Sequence, residues 1–262
     1  MLADLHIHTD ASDGRLNPAE AVKWAKNHGV EIMSITDHDT IDGLLAGERA
    51  AREAGIKFVR GVEISAKLNF EVHILGYGID IDDPKFLKGL DEVRRLRAAR
   101  NAEIAERLER YGVKPDMDFE AAGVGRMNIA RKMVEQGYCR DITEAFDKYL
   151  GTSGKAYCDM KRTSPADAVR MIAECGGFAS LAHPKKLLLD GRLDKLLAEL
   201  KPCGLKGLEV NYPSHYDSDR AALRALCKKY GLLPTGGSDY HGDEDKNFVF
   251  HLDSRVIEAL KI

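Results

Sequence analysis

Two histidines near the start of the chain, His6 and His8, are separated by a single residue. They end a short apolar run, residues 2 to 7, that is typical of a β-strand. Because side chains alternate along a strand, both imidazoles point to the same face. Two imidazoles on one face can bind one metal ion, although the pair alone is equally typical of ordinary surface or core histidines. A metal site therefore requires further ligands nearby.

Further candidate ligands occur in or directly after the later predicted strands. The motifs are Thr36-Asp37-His38-Asp39, Gly61-Val62-Glu63, Val72-His73-Ile74, Leu181-Ala182-His183-Pro184 and Gly236-Gly237-Ser238-Asp239-Tyr240-His241. In a parallel barrel the carboxyl ends of the strands converge on one mouth. Six histidines and at least two carboxylates are therefore expected to meet there. A catalytic zinc typically takes three protein ligands, so this set predicts two or three metals.

The mixture of imidazole and carboxylate ligands limits the chemistry. It suits Mn²⁺, Zn²⁺ or Fe²⁺ and excludes a thiolate site, without separating those three metals. Metals a few ångströms apart can activate a shared water and clamp the attacking and leaving oxygens at a phosphorus atom. The sequence therefore predicts a hydrolase acting on phosphate esters.

The elements that must position these residues alternate between strand and helix. Four predicted strands lie within residues 2 to 77, a helical block without a confident strand covers 85 to 157, and the alternation then resumes up to a strand at 232 to 236. Strands separated by helices of ten to fifteen residues indicate βαβ units and a parallel sheet. The pattern predicts an α/β barrel of seven strands, interrupted by a helical insertion after the fourth.

Composition excludes several classes of protein. The 262 residues carry 39 lysines and arginines against 42 acidic residues, a net charge of −3, which does not fit a basic nucleic-acid coat. The five cysteines include no C-x-x-C pair, so we expect a reducing, cytoplasmic environment. We expect no membrane span, no secretory leader and no obligate protein partner.

The ordered motifs, with Asp4-Leu5-His6-Ile7-His8-Thr9 and Ser12-Asp13-Gly14 at their head, resemble the PHP (polymerase and histidinol phosphatase) family. The resemblance implies a distorted (β/α)7 barrel with a trinuclear metal site, in which Mn²⁺ is favoured and Zn²⁺ or Fe²⁺ are alternatives. It implies one metal on His6, His8 and Asp239, a second on His73 and His183 bridged by Glu63, and a third on Asp13, His38 and His241. Asp37 and Asp39 either orient imidazoles or cap the following helix.

Within that family the chain resembles the stand-alone branch that acts on nucleoside 3',5'-bisphosphates and trims short 5'-phosphorylated RNA. This resemblance is carried by Gly125-Arg126-Met127-Asn128-Ile129-Ala130-Arg131, Tyr149-Leu150-Gly151 and Gly154-Lys155-Ala156-Tyr157. The branch commonly has histidine where this chain has Asn128, which can donate a hydrogen bond but cannot act as an acid or base. We expect residues 1–84 and 158–262 to form the barrel, and residues 85–157 to lie over its mouth because they follow the fourth strand.

Basic residues of the insertion are the candidate substrate contacts. Arg126 and Lys155 are expected to hold phosphate. Arg97 and Arg100 lie on the long charged helix, and Lys161 and Arg162 precede the return to the barrel; any of these four could equally belong to a solvated surface. His215 follows the sixth strand and is expected to face the mouth, as a substrate contact or an acid/base, unless it is an exposed loop histidine.

The resemblance implies a metal-dependent phosphoesterase that removes the 3'-phosphate of nucleoside 3',5'-bisphosphates through attack of a metal-bound hydroxide on phosphorus. Trimming of short 5'-phosphorylated oligonucleotides is a related expectation. Two alternatives stay open at this level. One is a histidinol phosphate phosphatase, and the other is a non-catalytic, nucleic-acid-associated PHP module.

Overall fold

A computed structural model describes residues 1–159, 162–242 and 248–262, so Lys161 lies outside the described residues. The strands are β1 Leu2–Ile7, β2 Ile32–Ile35, β3 Lys57–Lys67, β4 Glu71–Tyr77, β5 Phe178–Leu181, β6 Leu205–Asn211, β7 Leu233–Gly236 and β8 Phe250–His251. The α-helices are α1 Pro18–Asn27, α2 Leu44–Ala54, α3 Pro84–Glu109, α4 Arg126–Glu135, α5 Ile142–Ala145, α6 Pro165–Glu174, α7 Lys185–Leu189, α8 Leu193–Leu200, α9 Asp217–Tyr230 and α10 Ser254–Leu260.

The strands form one sheet in the order β7-β6-β5-β4-β3-β2-β1-β8. The sheet curls so that the chain after β7 meets the end of β1. There the Asp239 N–H donates to the His6 carbonyl over 2.8 Å, and the His8 N–H donates to the Tyr240 carbonyl over 2.9 Å. The predicted barrel is confirmed. The two-residue strand β8, which pairs antiparallel with β1, adds an eighth strand that is too short to be recognised from sequence.

The fourth strand runs opposite to the expected direction. β4 is antiparallel to both β3 and β5, with Gly61 facing Tyr77 and Tyr77 facing Phe178. Only three residues separate β3 from β4, and a link of that length allows a hairpin but not the crossover that a parallel pair needs. The expectation of a parallel βαβ unit is therefore wrong here. As a consequence β4 starts at the barrel mouth, with His73 near its start, and ends at the far side.

The helical block consequently leaves the barrel on the side opposite the mouth. It reaches the mouth because α3 has 26 residues and is about 39 Å long at 1.5 Å per residue. In the first half of α3, Phe86 and Leu90 pack in the barrel core. In its second half, Ile104 and Leu108 pack in a separate apolar cluster with residues of α4 and α5. The expected reason for the insertion lying at the mouth is thus corrected.

The two core clusters bear on the domain boundaries. The barrel cluster includes residues of α3 as far as Val93, and the insertion cluster extends from Ile104 to Cys158. The division at residues 84 and 158 stays a prediction, and this packing favours a boundary within α3. In the described part of the chain, no helix is both long enough and apolar enough to cross a membrane.

Candidate metal centre and the adjoining arginine cavity

The structure brings all nine predicted metal ligands together at the barrel mouth. Four side chains come from the two ends of the barrel seam. His6 Nε2 lies 3.1 Å from His8 Nε2 and 3.3 Å from Asp239 Oδ1, and His8 Nε2 lies 3.2 Å from the same Asp239 oxygen. The ring of His241 stacks on that of His8 with centroids 4.2 Å apart. These side chains sit where the hydrogen bonds between β1 and the chain after β7 close the barrel.

Glu63 lies at the centre of the cluster. Its Oε1 is 3.1 Å from His73 Nδ1 and 3.1 Å from His183 Nε2, and its Oε2 is 2.9 Å from His38 Nδ1. Glu63 is fully buried within β3, which continues past the expected end at Val62 because it forms a hairpin with β4. A carboxylate that reaches imidazoles on both sides has the geometry of a bridging ligand.

A further group forms around Asp13, which lies in the loop after β1. Asp13 Oδ1 is 3.2 Å from His241 Nε2, and its Oδ2 is 3.8 Å from His38 Nε2. His8, Asp13, His38 and His241 each place one donor atom within 4.8 Å of the others, as do the trios His6, His8, Glu63 and His38, Glu63, His73. We call the nine residues the ligand cluster. Which residues share each metal stays a prediction.

The chemistry of the cluster fits divalent cations. Glu63 Oε2 and His8 Nδ1 are buried and make no hydrogen bond among the described residues, since the 2.9 Å contact of Glu63 Oε2 with His38 Nδ1 lacks hydrogen-bond geometry. Such polar atoms are costly unless a ligand satisfies them. Three carboxylates among six imidazoles form a hard and intermediate donor set that suits Mn²⁺, Fe²⁺ or Zn²⁺.

The charges within the cluster are strongly coupled. Burial raises the pKa of Glu63, but the imidazoles of His38, His73 and His6 outweigh burial and hold that pKa well below its usual range. Burial lowers the pKa of His6, while the carboxylates of Glu209, Glu63 and Asp239 raise it well above the usual value. The cluster therefore keeps its carboxylates ionised, as metal binding requires.

Backbone strain is concentrated at the same place. Among the described residues, four that are not glycine have positive φ, and three of them, Asp39 at 54°, His183 at 27° and Asp239 at 53°, lie in or beside the cluster. Such conformations cost of order 1–3 kcal/mol each and persist only where surrounding contacts hold them. They therefore need specific support.

For His183 and Asp239 that support comes from β6 and the residue that follows it, where sequence reasoning assigned no ligand. Glu209 is fully buried; its Oε1 lies 3.0 Å from His6 Nδ1, and its Oε2 accepts from the backbone N–H of His183 over 2.6 Å. The Tyr212 hydroxyl donates to Asp239 Oδ2 over 2.8 Å. Both residues were missed by sequence reasoning. The available signal was a glutamate inside the otherwise apolar run Leu208-Glu209-Val210.

Asp37 and Asp39 contribute differently from expected. Asp37 accepts hydrogen bonds from the Thr9 N–H and from the hydroxyls of Thr9 and Ser12, at 2.6 to 2.7 Å, and so holds the loop that carries Asp13. Asp39 accepts from the Ser65 N–H and from Arg97 Nε, each over 2.7 Å. Neither residue caps α2, which begins later at Leu44.

A cavity of about 140 Å³, which we call the arginine cavity, opens beside the ligand cluster. Asp13, His38 and His73 contribute to its lining from the barrel side. Four arginines line it from elsewhere, namely Arg97, Arg100, Arg126 and Arg162. Guanidinium groups are well suited to phosphate because they donate two parallel hydrogen bonds to its oxygens.

The four arginines are not fully neutralised. Arg97 pairs with Asp39 at 2.6 Å, and Arg126 and Arg162 both pair with Glu71 Oε1 at 2.7 Å. Arg100 is buried and donates to the neutral Asn101 Oδ1 over 2.8 Å. Burial, followed by the guanidinium groups of Arg97, Arg162 and Arg126, lowers the pKa of Arg100 well below its usual value. An entering anion would relieve this concentration of positive charge.

Three predicted substrate contacts lie elsewhere. Lys155 is exposed, with its Nζ 5.1 Å from the centre of the Tyr111 ring. His215 is buried with Nδ1 2.9 Å from the Val210 carbonyl, and it does not line the arginine cavity. Asn128 accepts from the Gly125 N–H and donates to the Ser12 carbonyl, each over 2.8 Å. Its amide therefore links the start of α4 to the loop after β1. Their exact placement depends on tertiary packing that local sequence does not encode.

Comparison with known proteins agrees with this geometry. Residues 4–203 match the PHP domain family. The chain is 35% identical over 246 residues to a 5'-3' exoribonuclease of Haemophilus influenzae, covering 91% of this chain and 89% of that protein. It is 32% identical over 246 residues to a 3',5'-nucleoside bisphosphate phosphatase of Chromobacterium violaceum, covering 91% and 86%. It is 34% identical over 271 residues to a phosphoribosyl 1,2-cyclic phosphate 1,2-diphosphodiesterase of Eggerthella lenta, covering 98% and 99%.

A solved structure supports the same assignment. An amidohydrolase from Chromobacterium violaceum with bound sulfate superimposes with a TM-score of 0.87 at 31% identity, covering 98% of this chain and 96% of that one. The family match covers well over half of the chain, and the order of its motifs agrees with the positions of the ligand cluster. The chain belongs to the PHP domain family.

Proposed function

We propose that the chain is a metal-dependent phosphoesterase that removes the 3'-phosphate from nucleoside 3',5'-bisphosphates. The observation that carries the proposal is the position of the arginine cavity, which shares Asp13, His38 and His73 with the ligand cluster. One phosphate at the cluster and another among the arginines would be held by the same substrate molecule. Mn²⁺ is the favoured metal, and the substrate and the absence of a disulfide among the described residues favour the cytoplasm.

The ligand cluster and the arginine cavity have different roles in this proposal. The nine residues of the ligand cluster would hold two or three divalent metals. When bound, such metals activate water and neutralise the charge that develops on a reacting phosphate. Arg100, with Arg97, Arg126 and Arg162, would bind the phosphate that does not react. A second anchored phosphate orients the substrate, which contributes to rate as well as to affinity.

The same geometry disfavours histidinol phosphate. That substrate has one phosphate and a cationic amine, so its phosphate at the cluster would direct the amine towards a region with four guanidinium groups. Like charges in a partly buried site repel strongly, and Arg100 would remain without an anion. A substrate with two phosphates can place one at the ligand cluster and the other in the arginine cavity.

A second candidate substrate is phosphoribosyl 1,2-cyclic phosphate. The relative from Eggerthella lenta that carries this activity in its name matches the chain over 98% of its length, the widest coverage of the three relatives described above. This compound also carries two separate phosphate groups, so one could lie at the ligand cluster and the other in the arginine cavity. Direct comparison of the two substrates is needed.

The test is a substrate panel with the purified protein and added Mn²⁺. Release of inorganic phosphate from adenosine 3',5'-bisphosphate is expected to exceed release from histidinol phosphate, with phosphoribosyl 1,2-cyclic phosphate followed by chromatography. Asp13→Asn should abolish the activity because it removes a charged member of the cluster, whereas Glu48→Gln, on the surface of α2, serves as the matched control. Inactivity on both two-phosphate substrates, or full activity of Asp13→Asn, would overturn the proposal.

A further inference from the structure

A larger cavity of about 440 Å³, which we call the hairpin groove, lies next to the arginine cavity. Its lining includes His73 and His183 of the ligand cluster, so it adjoins the proposed metals. Its volume falls within the roughly 300–1,000 Å³ range of pockets for small organic ligands. Glu71, His73 and Arg126 line both cavities, so the groove and the arginine cavity share a boundary.

The groove is built by the β3–β4 hairpin and by α7. β3 has eleven residues whereas β2 has four, so the hairpin extends beyond the neighbouring strand and carries Phe70 at its tip. The Leu68 N–H donates to the Phe70 carbonyl over 3.0 Å and closes this turn. On the opposite side α7 begins two residues after His183 and contributes Lys186.

The lining combines positive charge with an aromatic surface. The guanidinium carbon of Arg192 lies 4.0 Å from the centre of the Phe70 ring, and its Nη2 also pairs with Asp190. Lys186 is exposed and forms no ion pair within the part of the chain that the structure describes. A basic track interleaved with stacking surfaces is the usual way in which proteins bind single-stranded nucleic acid without reading its sequence.

We propose that the hairpin groove binds the second nucleotide of a 5'-phosphorylated oligonucleotide. The base would stack against Phe70, and the next phosphate would contact Lys186 and Arg192. This inference rests on the proposed function, because it places the terminal 5'-phosphate in the arginine cavity and the first internucleotide phosphate at the ligand cluster. The remaining strand must then leave on the side of His73 and His183, where the groove lies.

The same bond would break in both substrates. In a 3',5'-bisphosphate, water adds to the 3'-phosphorus, the bond from phosphorus to O3' breaks, and O3' receives a proton. In an oligonucleotide the same addition releases the first nucleotide with a 3'-hydroxyl. The phosphate stays on O5' of the second nucleotide, which then carries a new 5'-phosphate. The groove therefore determines whether a second nucleotide is accepted and leaves the chemical step unaltered.

The experiment compares two substrates in the same variants. For wild-type protein with Mn²⁺, kcat/KM is measured on two substrates. One is adenosine 3',5'-bisphosphate, and the other is a 5'-phosphorylated diadenylate that carries a further phosphate on its 3'-hydroxyl. Lys186→Ala and Arg192→Ala should each lower kcat/KM for the dinucleotide by about tenfold or more, the scale of one charged hydrogen bond. Phe70→Leu should do the same, since stacking contributes about 1–3 kcal/mol per base. Turnover of the bisphosphate should change less than twofold in all three.

Lys228→Ala is the matched control. It removes one positive charge from the exposed face of α9, and Lys228 lines neither the hairpin groove nor the arginine cavity. It should leave both substrates unaffected. Equal losses on both substrates, or no loss on the dinucleotide, would overturn the inference while leaving the proposed function intact. Wild-type protein that hydrolyses the bisphosphate but not the dinucleotide would also overturn it, whereas failure on both substrates would implicate the proposed function itself.

Discussion

The ligand cluster and the arginine cavity, which form the two walls of the candidate site, differ in how they are built. The ligand cluster belongs to the barrel, and its side chains are placed by strands that hydrogen-bond directly to one another. The arginine cavity depends on α3 and α4, which pack against each other through a separate apolar cluster. A position at a strand end is fixed by the sheet, whereas a position on an inserted helix depends on how that helix rotates and packs. The residues of the ligand cluster can therefore be predicted from sequence, whereas those of the arginine cavity can be predicted only in part.

The largest effect is expected at the centre of the first wall. Glu63→Gln replaces one carboxylate oxygen by an amide that cannot accept, at a residue that reaches His38, His73 and His183. We expect activity to fall by more than the roughly 10- to 100-fold that loss of an outer partner costs a metal site. Bound metal per chain, measured by elemental analysis after dialysis, should fall with it. Retention of both would show that Glu63 does not bridge metals.

A smaller effect is expected one layer out, at β6. Both contacts of Glu209, His6 Nδ1 and the His183 N–H, are donors when His6 presents Nε2 to the metals, so a carboxylate with two acceptors is required. Glu209→Gln supplies one acceptor and one donor, and should weaken Mn²⁺ affinity about 10- to 100-fold. The readout is metal affinity from competition with a chelating dye. Tyr212→Phe, which removes a single hydrogen bond to Asp239, should weaken it less; unchanged affinity in Glu209→Gln would rule out a positioning role.

The difference between residues placed by strands and residues placed by packing explains what could be predicted from sequence. Eight residues of the ligand cluster were predicted from their positions in or just after strands that meet at one mouth, whereas Asp13, in the loop after β1, was predicted only from the resemblance to the PHP family. The direction of β4 was not predicted, although the three-residue link to β3 is visible, because the alternation of the surrounding strands and helices favoured a parallel unit. Glu209 was missed because it binds through other residues. The structure places Asn128, Lys155 and His215 outside the lining of the arginine cavity, which sequence could not predict because packing determines which way a loop or helix side chain faces.

Arg100 provides a sharper contrast between the walls, since it should bind substrate at a cost in stability. It is buried without a carboxylate partner among the described residues, so Arg100→Met should raise the thermal midpoint, because an apolar side chain replaces a poorly compensated charge. The same change should lower kcat/KM for the bisphosphate about 10- to 100-fold, the scale of a lost hydrogen bond between charged groups. Arg140→Met, an exposed arginine paired with Glu144, controls for the loss of charge. A lower midpoint with unchanged kcat/KM would mean that Arg100 is structural.

The smallest effect is expected at Asn128, which connects the two walls. Its Oδ1 accepts from the Gly125 N–H at the start of α4, and its Nδ2 donates to the Ser12 carbonyl beside Asp13. Asn128→Ala loses both bonds and should lower the free energy of unfolding by about 1–2 kcal/mol. Asn128→Asp keeps the acceptor for the Gly125 N–H but turns a second acceptor oxygen towards the Ser12 carbonyl, so it should cost at least as much as Asn128→Ala. Urea unfolding with a chelator present separates this from metal binding, which would itself stabilise the fold. If instead Asn128→Ala unfolds like wild type and its KM for the bisphosphate rises, the amide contacts substrate, and the insertion is held over the barrel by the remaining contacts of α3 with Asp39 and Ser65.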